Sequence, residues 1–275
     1  MAWHLHAAMS RERWLWTRTQ IETHLFKGLE LYCAQSAAQR DESKGKGKGK
    51  GERELVLIGA SAGWMMSTRW LEEFTSIDAY DIDPLSPLLF KLNHAKALAK
   101  KGIEIRFHLL DAIDQLSRVL SKHPNALIWF DNVLGQHHMR LKDSALASTQ
   151  LKILQRRLKG RFWGSVHDLY SGPVQRANDS KSGENVRGKL PMTLKVIRLD
   201  NSDQNSARVK VNGVETSLGQ ARQQFLQTLG ATPAGQAWLD HETSKVFPTG
   251  TPLTWAGWDF KPNYCHCLEM GWTLD

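Results

Sequence analysis

Cysteine is scarce in this chain: of 275 residues only Cys33, Cys265 and Cys267 carry a thiol. Three thiols cannot build a disulfide framework, which agrees with a reducing compartment. Long apolar runs are missing too. No segment stays apolar over the roughly eighteen residues that span a bilayer, so no membrane partner is expected. The opening MAWHLHAAMSRERWLW lacks the continuous apolar core of a secretory signal, and the expected location is cytoplasmic. A metal centre in Tyr264-Cys265-His266-Cys267 is excluded by strand geometry, because alternate side chains face opposite ways and the trio cannot converge. No metal is expected.

What the chain does have is ordinary globular composition, 41% hydrophobic and 23% charged, with eleven tryptophans that belong in a core or a groove. Its formal net charge is +8, which favours acidic partners. Part of that excess sits in Lys44-Gly45-Lys46-Gly47-Lys48-Gly49-Lys50, a tract that buries no apolar surface and reads as a solvated linker. Before it, Trp14, Ile21, Leu25, Leu29 and Leu31 recur at mostly helical spacing.

From Glu54 onward short apolar runs alternate with helical patterns. Strands are expected at 54–58, 76–82, 103–109, 126–130 and 162–166, and helices at 65–74, 84–100, 112–120 and 144–158. Such alternation implies right-handed βαβ units and a doubly wound, mostly parallel sheet in an α/β fold. Ligands of such sheets bind outside the carboxyl ends of the strands. That rule singles out residues 59–64, 81–83, 111, 131–138 and 167–170. Beyond Ser171 the texture turns polar, with strands at 194–198 and 207–211, a tight turn at Asn212-Gly213, a helix over 218–229 and a closing strand at 264–272.

Gly59-Ala60-Ser61-Ala62-Gly63 follows the first strand and admits two chemistries. It fits the G-x-S-x-G elbow of a serine hydrolase, with Ser61 as nucleophile, although only helix and linker precede it where an oxyanion loop and several strands are wanted. It also fits a turn that brings backbone against a cofactor. A dinucleotide fingerprint would need a small residue where Trp64 stands, which disfavours NAD and FAD.

In these features the chain resembles class I S-adenosylmethionine-dependent methyltransferases, with Rossmann-like sheets. The resemblance covers residues 54–168 and, at the end, the strand at 264–272. Leu57 to Gly63 corresponds to the family's first motif, with Gly59, Ala60, Ser61 and Gly63 at the cofactor. Asp81 stands where an acid holds the ribose hydroxyls, with Ile82 beside it, and Asp111-Ala112 where an acid meets the adenine amine. Asp131 and Asn132 open the counterpart of the fourth motif. The resemblance thus implies S-adenosylmethionine as cofactor. Two positions depart from it: Leu57 replaces an acid near the methionyl end, and Ser61 replaces a glycine. Asp131 or Asp168 is expected to take over that acid's electrostatic role.

The reaction would need an in-line nucleophile, with a base where the acceptor carries a proton. His137, His167 and Tyr170 are the candidates, with His138 nearby. Asp131-Asn132-Val133-Leu134 lacks the Asn/Asp-Pro-Pro-aromatic turn of nucleic-acid amino-methyltransferases, so a nucleic-acid partner is not expected, and Arg156, Arg157, Lys159 and Arg161 read as a solvated helix end. The organisation expected is a helical segment at 1–43, a linker at 44–53, a cofactor-binding core at 54–170, a cap at 171–258 that sets specificity, with Trp238, Trp255, Trp258 and His241 as a wall, and a closing strand at 259–275. The function expected is methyl transfer to a small molecule or peptide group. The alternative is a degenerate module that binds a nucleotide-like ligand or a protein without turnover.

Overall fold

The computed structural model describes residues 2–42, 53–174, 193–200, 202, 206–230 and 238–273. The lysine-glycine tract, most of the polar stretch after Ser171 and half of the turn at 200–203 lie outside them. The chain opens with helices α1 (Ala2–Met9) and α2 (Leu15–Glu42) and enters the sheet at β1 (Glu54–Ile58). Then come α3 (Thr68–Leu71), β2 (Ser76–Asp81), α4 (Ser86–Phe90), a π turn (Lys91–Ala95), α5 (Lys96–Lys100), β3 (Glu104–Leu109), α6 (Leu116–Lys122) and β4 (Leu127–Asp131). Helices α7 (His137–Leu141) and α8 (Ser144–Leu158) lead to β5 (Trp163–Pro173). The remainder is β6 (Leu194–Arg198), β7 (Arg208–Val211), β8 (Val214–Ser217), α9 (Leu218–Thr228), β9 (Leu239–Asp240), β10 (Pro252–Lys261) and β11 (Tyr264–Thr273).

Side-chain alternation sorts the core into two layers. Leu55, Leu57, Ile77, Ala79, Leu127 and Trp129 pack with Ile21, Leu25 and Leu29 of α2 and with Trp70, Phe90 and Leu98. Val56, Ile58, Ile128 and Phe130 face the other way, against Leu116, Leu154, Leu158 and Phe225. A strand buried on both faces reads as an uninterrupted apolar run, and this is why Leu55-Val56-Leu57-Ile58 is apolar throughout. Each such side chain contributes roughly 1.5–3 kcal/mol by leaving water.

The strand order is β3-β2-β1-β4-β5-β11-β10-β6-β7-β8. The central β3-β2-β1-β4-β5 portion is parallel, as the alternation predicts. Beyond β5 every pairing is antiparallel. The sheet therefore reverses direction of growth at β1, whose neighbours are β2 and β4. Loops after β1 and β4 diverge there, and a crevice opens at their carboxyl ends.

Three local expectations change. The helix expected at 65–74 is confined to four residues of α3. The fifth strand does not stop at Val166 but runs to Pro173, because β11 pairs along it from Thr273 to Tyr264. The described strands between 194 and 217 lengthen the sheet beyond β10 instead of crossing the crevice.

Candidate functional site

A cavity of about 620 Å³ lies at the reversal point, within the size range of small-molecule sites. Its walls come from the ends of the parallel strands, with Gly59, Ser61, Asp81, Asp111, Asp131, Asn132 and Asp168, and from the β10–β11 hairpin, with Trp258, Phe260 and His266. Trp64 and Met65 complete an apolar stretch.

The loop after β1 owes its path to three left-handed residues in alternation, Gly59 at φ 78°, Ser61 at 45° and Gly63 at 65°. Glycine is required at 59 for a second reason: an added Cβ would lie 2.8 Å from Val133 Cβ and 3.0 Å from the Asp131 carbonyl oxygen. The N–H groups of this turn are already in use. Gly59 donates to the Tyr80 carbonyl at 2.9 Å and Ala60 to the same oxygen at 3.5 Å, and Gly63 donates to Ala60. The Ser61 N–H donates to Asp81 Oδ2 at 2.5 Å. A phosphate-cradling turn needs free N–H groups, and here four of the five are spent on the protein itself.

Acid dominates the cavity. Asp81, Asp83, Asp111, Asp131 and Asp168 line it against one guanidinium, that of Arg140, which is ion-paired with Asp111. The chain's overall positive charge is thus not the charge of its cleft. Asp81 is held by its own loop, accepting from Ser61 N and, at Oδ1, from Asp83 N at 2.8 Å, and each oxygen keeps acceptor capacity for a ligand. Asp111 Oδ1 accepts from Ile113 N at 3.1 Å. Asp131 differs from these. Its Oδ1 is buried with no partner in the protein, and burial, together with the nearby Asp81 charge, pushes its carboxyl up to about 7.

Deeper along β5, Asp168 Oδ2 accepts from Asn132 Nδ2 at 3.1 Å and its N–H donates to Asn132 Oδ1 at 3.0 Å. Asp168 Oδ1 accepts from His266 Nδ1 at 2.9 Å. His241 is close enough to complete a trio with metal-like spacing, but its two nitrogens already bond the Gly135 carbonyl and Ser171 Oγ, each at 2.9 Å. The arrangement is a hydrogen-bonded chain that leaves His266 Nε2 without a partner in the protein. His266 does stand apart from Cys265 and Cys267, both fully buried on the opposite side of β11.

Eight of the ten residues matched to the family's cofactor positions meet at this one cavity: Gly59, Ser61, Asp81, Ile82, Asp111, Ala112, Asp131 and Asn132. Ala60 and Gly63 lie behind it, Gly63 backed by His94, whose Nε2 donates to the Gly63 carbonyl at 3.0 Å. The expected acid–base group is placed elsewhere. His167 and Tyr170 are not in a loop beyond β5 but inside that strand, fully buried. His167 hydrogen-bonds Ser165 and faces Glu269 and Phe247. Tyr170 lies under the Arg222 guanidinium at 4.1 Å, and burial pushes its phenol up. His137 is buried in α7 beside Arg140, off the cavity wall, and burial followed by that guanidinium pushes it down. The side chain of His138 lies outside the described residues.

Of the expected aromatic wall only Trp258 reaches the cavity. Trp255 is buried and donates to Glu269, and Trp238 covers Gly172. The contributions of Phe260, His266 and Arg140 are not foreseen by the sequence. Neither is that of α1, where His4 donates to Asp83 Oδ2 at 2.9 Å and accepts from Trp64 Nε1 at 3.4 Å. Helix α1 thereby touches the rim of the cavity at Asp83 and Trp64. Among the described residues, 171–257 contributes nothing to the lining. The elbow chemistry is not assembled either: Ser61 bonds Asp81 and Ser86 through its backbone, and among the described residues no histidine meets its hydroxyl.

No family model and no curated protein matches the chain. Among solved structures it is similar to YjhP from E. coli, at 11% identity over 51% of this chain and 49% of that one, with a TM-score of 0.28. The chain thus spans about half the length of that structure, and at this level the likeness bears on neither ligand nor activity.

Proposed function

We propose that the cavity binds S-adenosylmethionine and that the protein transfers its methyl group to a small molecule or peptide group. The observation that carries this reading is the buried, unpartnered oxygen of Asp131 in an acidic cavity that also holds Asp81. A buried carboxylate without a partner is costly unless it holds a proton or faces a cation, and a bound cation favours its ionised form. Phosphate-bearing ligands are opposed by the same charge and find few free N–H donors in the loop. A sulfonium-bearing adenosine satisfies both constraints, and its ribose presents two hydroxyl donors that one carboxylate accepts together.

In this reading Asp81 accepts the ribose hydroxyls and the loop at Gly59 and Ser61 packs against the nucleoside. Asp111 takes the adenine amine, and Asp131 faces the positive end, where Leu57, buried in the helical layer, offers no charge. The cofactor supplies an electrophilic methyl carbon; the protein's part is to place it, exclude water and orient the acceptor. Titration calorimetry with S-adenosylmethionine on the wild type and on Asp131→Asn tests the reading. Binding weakened about tenfold or more in the variant supports it, equal affinity removes Asp131 from it, and binding by the wild type without product in any acceptor screen leaves the non-catalytic module.

A further inference from the structure

Helix α1 shows its larger apolar side chains to water. Its buried side carries His4, Ala7 and Ser10, while Leu5 is 62% and Met9 73% exposed. A surface helix ordinarily does the reverse. Beside it, Leu88 of α4 and Leu92 of the π turn are 59% and 74% exposed. We propose that this face of α1 and α4 docks on the surface of an anionic lipid bilayer. The proposal is independent of the methyl-transfer reading.

The two helices lie side by side. His4 donates to Asp83, just ahead of α4, and Arg11 Nη2 donates to Asn93 Oδ1 in the π turn at 2.6 Å. Both ties run in the same order along the chain, so α1 lies parallel to the stretch from Asp83 to Asn93. Leu5 and Met9 each stand two residues from the fully buried Ala7, and Leu88 and Leu92 each two from the fully buried Phe90. Two residues are about 200° round a helix, so each pair points away from the side its helix buries. Ala7 and Phe90 belong to the same core layer, and the two apolar pairs therefore look outward from the same side of the sheet.

Cations accompany these apolar side chains. From Pro84 to Gly102 the chain carries Lys91, Lys96, Lys100 and Lys101 and no acid, and Arg11 and Arg13 follow α1 with Glu12 between them. All six cations are exposed, and among the described residues none is ion-paired. Phosphate groups alone would need the cations without the leucines, and an apolar partner alone the leucines without the cations. Anionic headgroups above acyl chains offer both, and a helix lying in that interface needs a two-sided face, not a spanning length. No helix among the described residues is long and apolar enough to cross a membrane, so the contact is with the surface. The expectation of no membrane partner rests on the lack of a spanning run and does not reach this case.

Co-sedimentation of the full chain with extruded vesicles tests the proposal, using equal parts phosphatidylcholine and phosphatidylglycerol against phosphatidylcholine alone. The proposal expects binding that favours the anionic vesicles and weakens as salt is raised. Leu88→Asp with Leu92→Asp should lower that binding about tenfold or more, because the two side chains no longer leave water. Leu5→Asp with Met9→Asp should do the same. Thermal melts of both variants should match the wild type, since all four side chains are already exposed. Replacing the lysines of the tract, Lys44→Ser, Lys46→Ser, Lys48→Ser and Lys50→Ser together, should leave most of the binding. No binding to the anionic vesicles, equal binding to both kinds, or full binding by either aspartate variant overturns the proposal, as does binding lost with the tract alone. Sedimentation velocity covers the competing occupant: a dimer that the aspartate changes break, with no vesicle binding, gives this face to a second copy of the chain and overturns the proposal too.

Discussion

The Ser61 N–H meets a carboxylate oxygen of Asp81 at 2.5 Å, tying the turn after β1 to the end of β2. The same carboxylate caps Asp83 N at 2.8 Å, so one side chain fixes two loops at the cavity. Asp81→Ala strands both donors, and the expected loss is about 1–3 kcal/mol of stability. Denaturant melts check the loss, and hydrogen exchange at the Ser61 amide should quicken with it. An unchanged amide would mean that the loop keeps its shape without the acid.

Asp131 gives the protein a pH signature. Burial first, and then the Asp81 charge, pushes its carboxyl up to about 7, against roughly 4 in an unfolded chain. Between those values the native state holds a proton that the unfolded state lacks, so stability falls as pH rises through that window and levels off above it. Melts of Asp131→Asn should lose this slope. A cationic ligand favours the ionised form, and calorimetry near pH 6.5 in buffers of different ionisation enthalpy should register proton release by the wild type and less by the variant.

The alternating left-handed backbone at Gly59, Ser61 and Gly63 makes opposite predictions for two substitutions. Gly59→Ala puts a Cβ against Val133 and the Asp131 carbonyl at a positive φ and should cost about 1–3 kcal/mol. Ser61→Gly relieves a strained residue and should hold or raise stability by up to about 1 kcal/mol, with ligand binding retained. Loss of all function in Ser61→Gly with the fold intact would restore the nucleophile reading.

Strands β1 and β4 of the parallel half were legible because each is an apolar run that ends in a glycine or an acid at the crevice. Gly59 and Asp131 stand out for that reason, since a glycine or acid that stops such a run sits at a strand's carboxyl end, whereas Ser61, Asp81 and Asp111 were reached through the order of the family's motifs. Strand β5 misled because His167, Asp168 and Ser171 look like loop letters, whereas pairing with β9 and β11 buries them. Strand β10 was missed because Thr254 to Asp259 is buried on both faces and shows no alternation. His266, Phe260 and Trp258 reach the cavity through a hairpin that is distant in sequence from β1, and no local pattern announces such a meeting.

Helix α2 covers its face of the sheet through Ile21, Leu25 and Leu29 and also through Gly28. Gly28 packs directly on the Trp272 indole, where a Cβ would overlap the ring, and Trp272 Nε1 donates to the His24 carbonyl at 2.9 Å. Gly28→Ala must therefore push α2 off the sheet, at about 1–3 kcal/mol. Thermal melts should fall accordingly while Trp272 fluorescence shifts; a melt equal to wild type would show that the helix docks elsewhere.

The central claim is that Asp81 and the turn at Ser61 border a pocket for an adenosine sulfonium. Titration calorimetry of S-adenosylmethionine into the full chain, repeated with Asp81→Ala, tests it most directly. The account predicts one saturable site in the wild type and affinity at least about tenfold weaker in the variant, as loss of a charged hydrogen-bond acceptor implies. No heat of binding in the wild type, or equal affinity in both proteins, would contradict it.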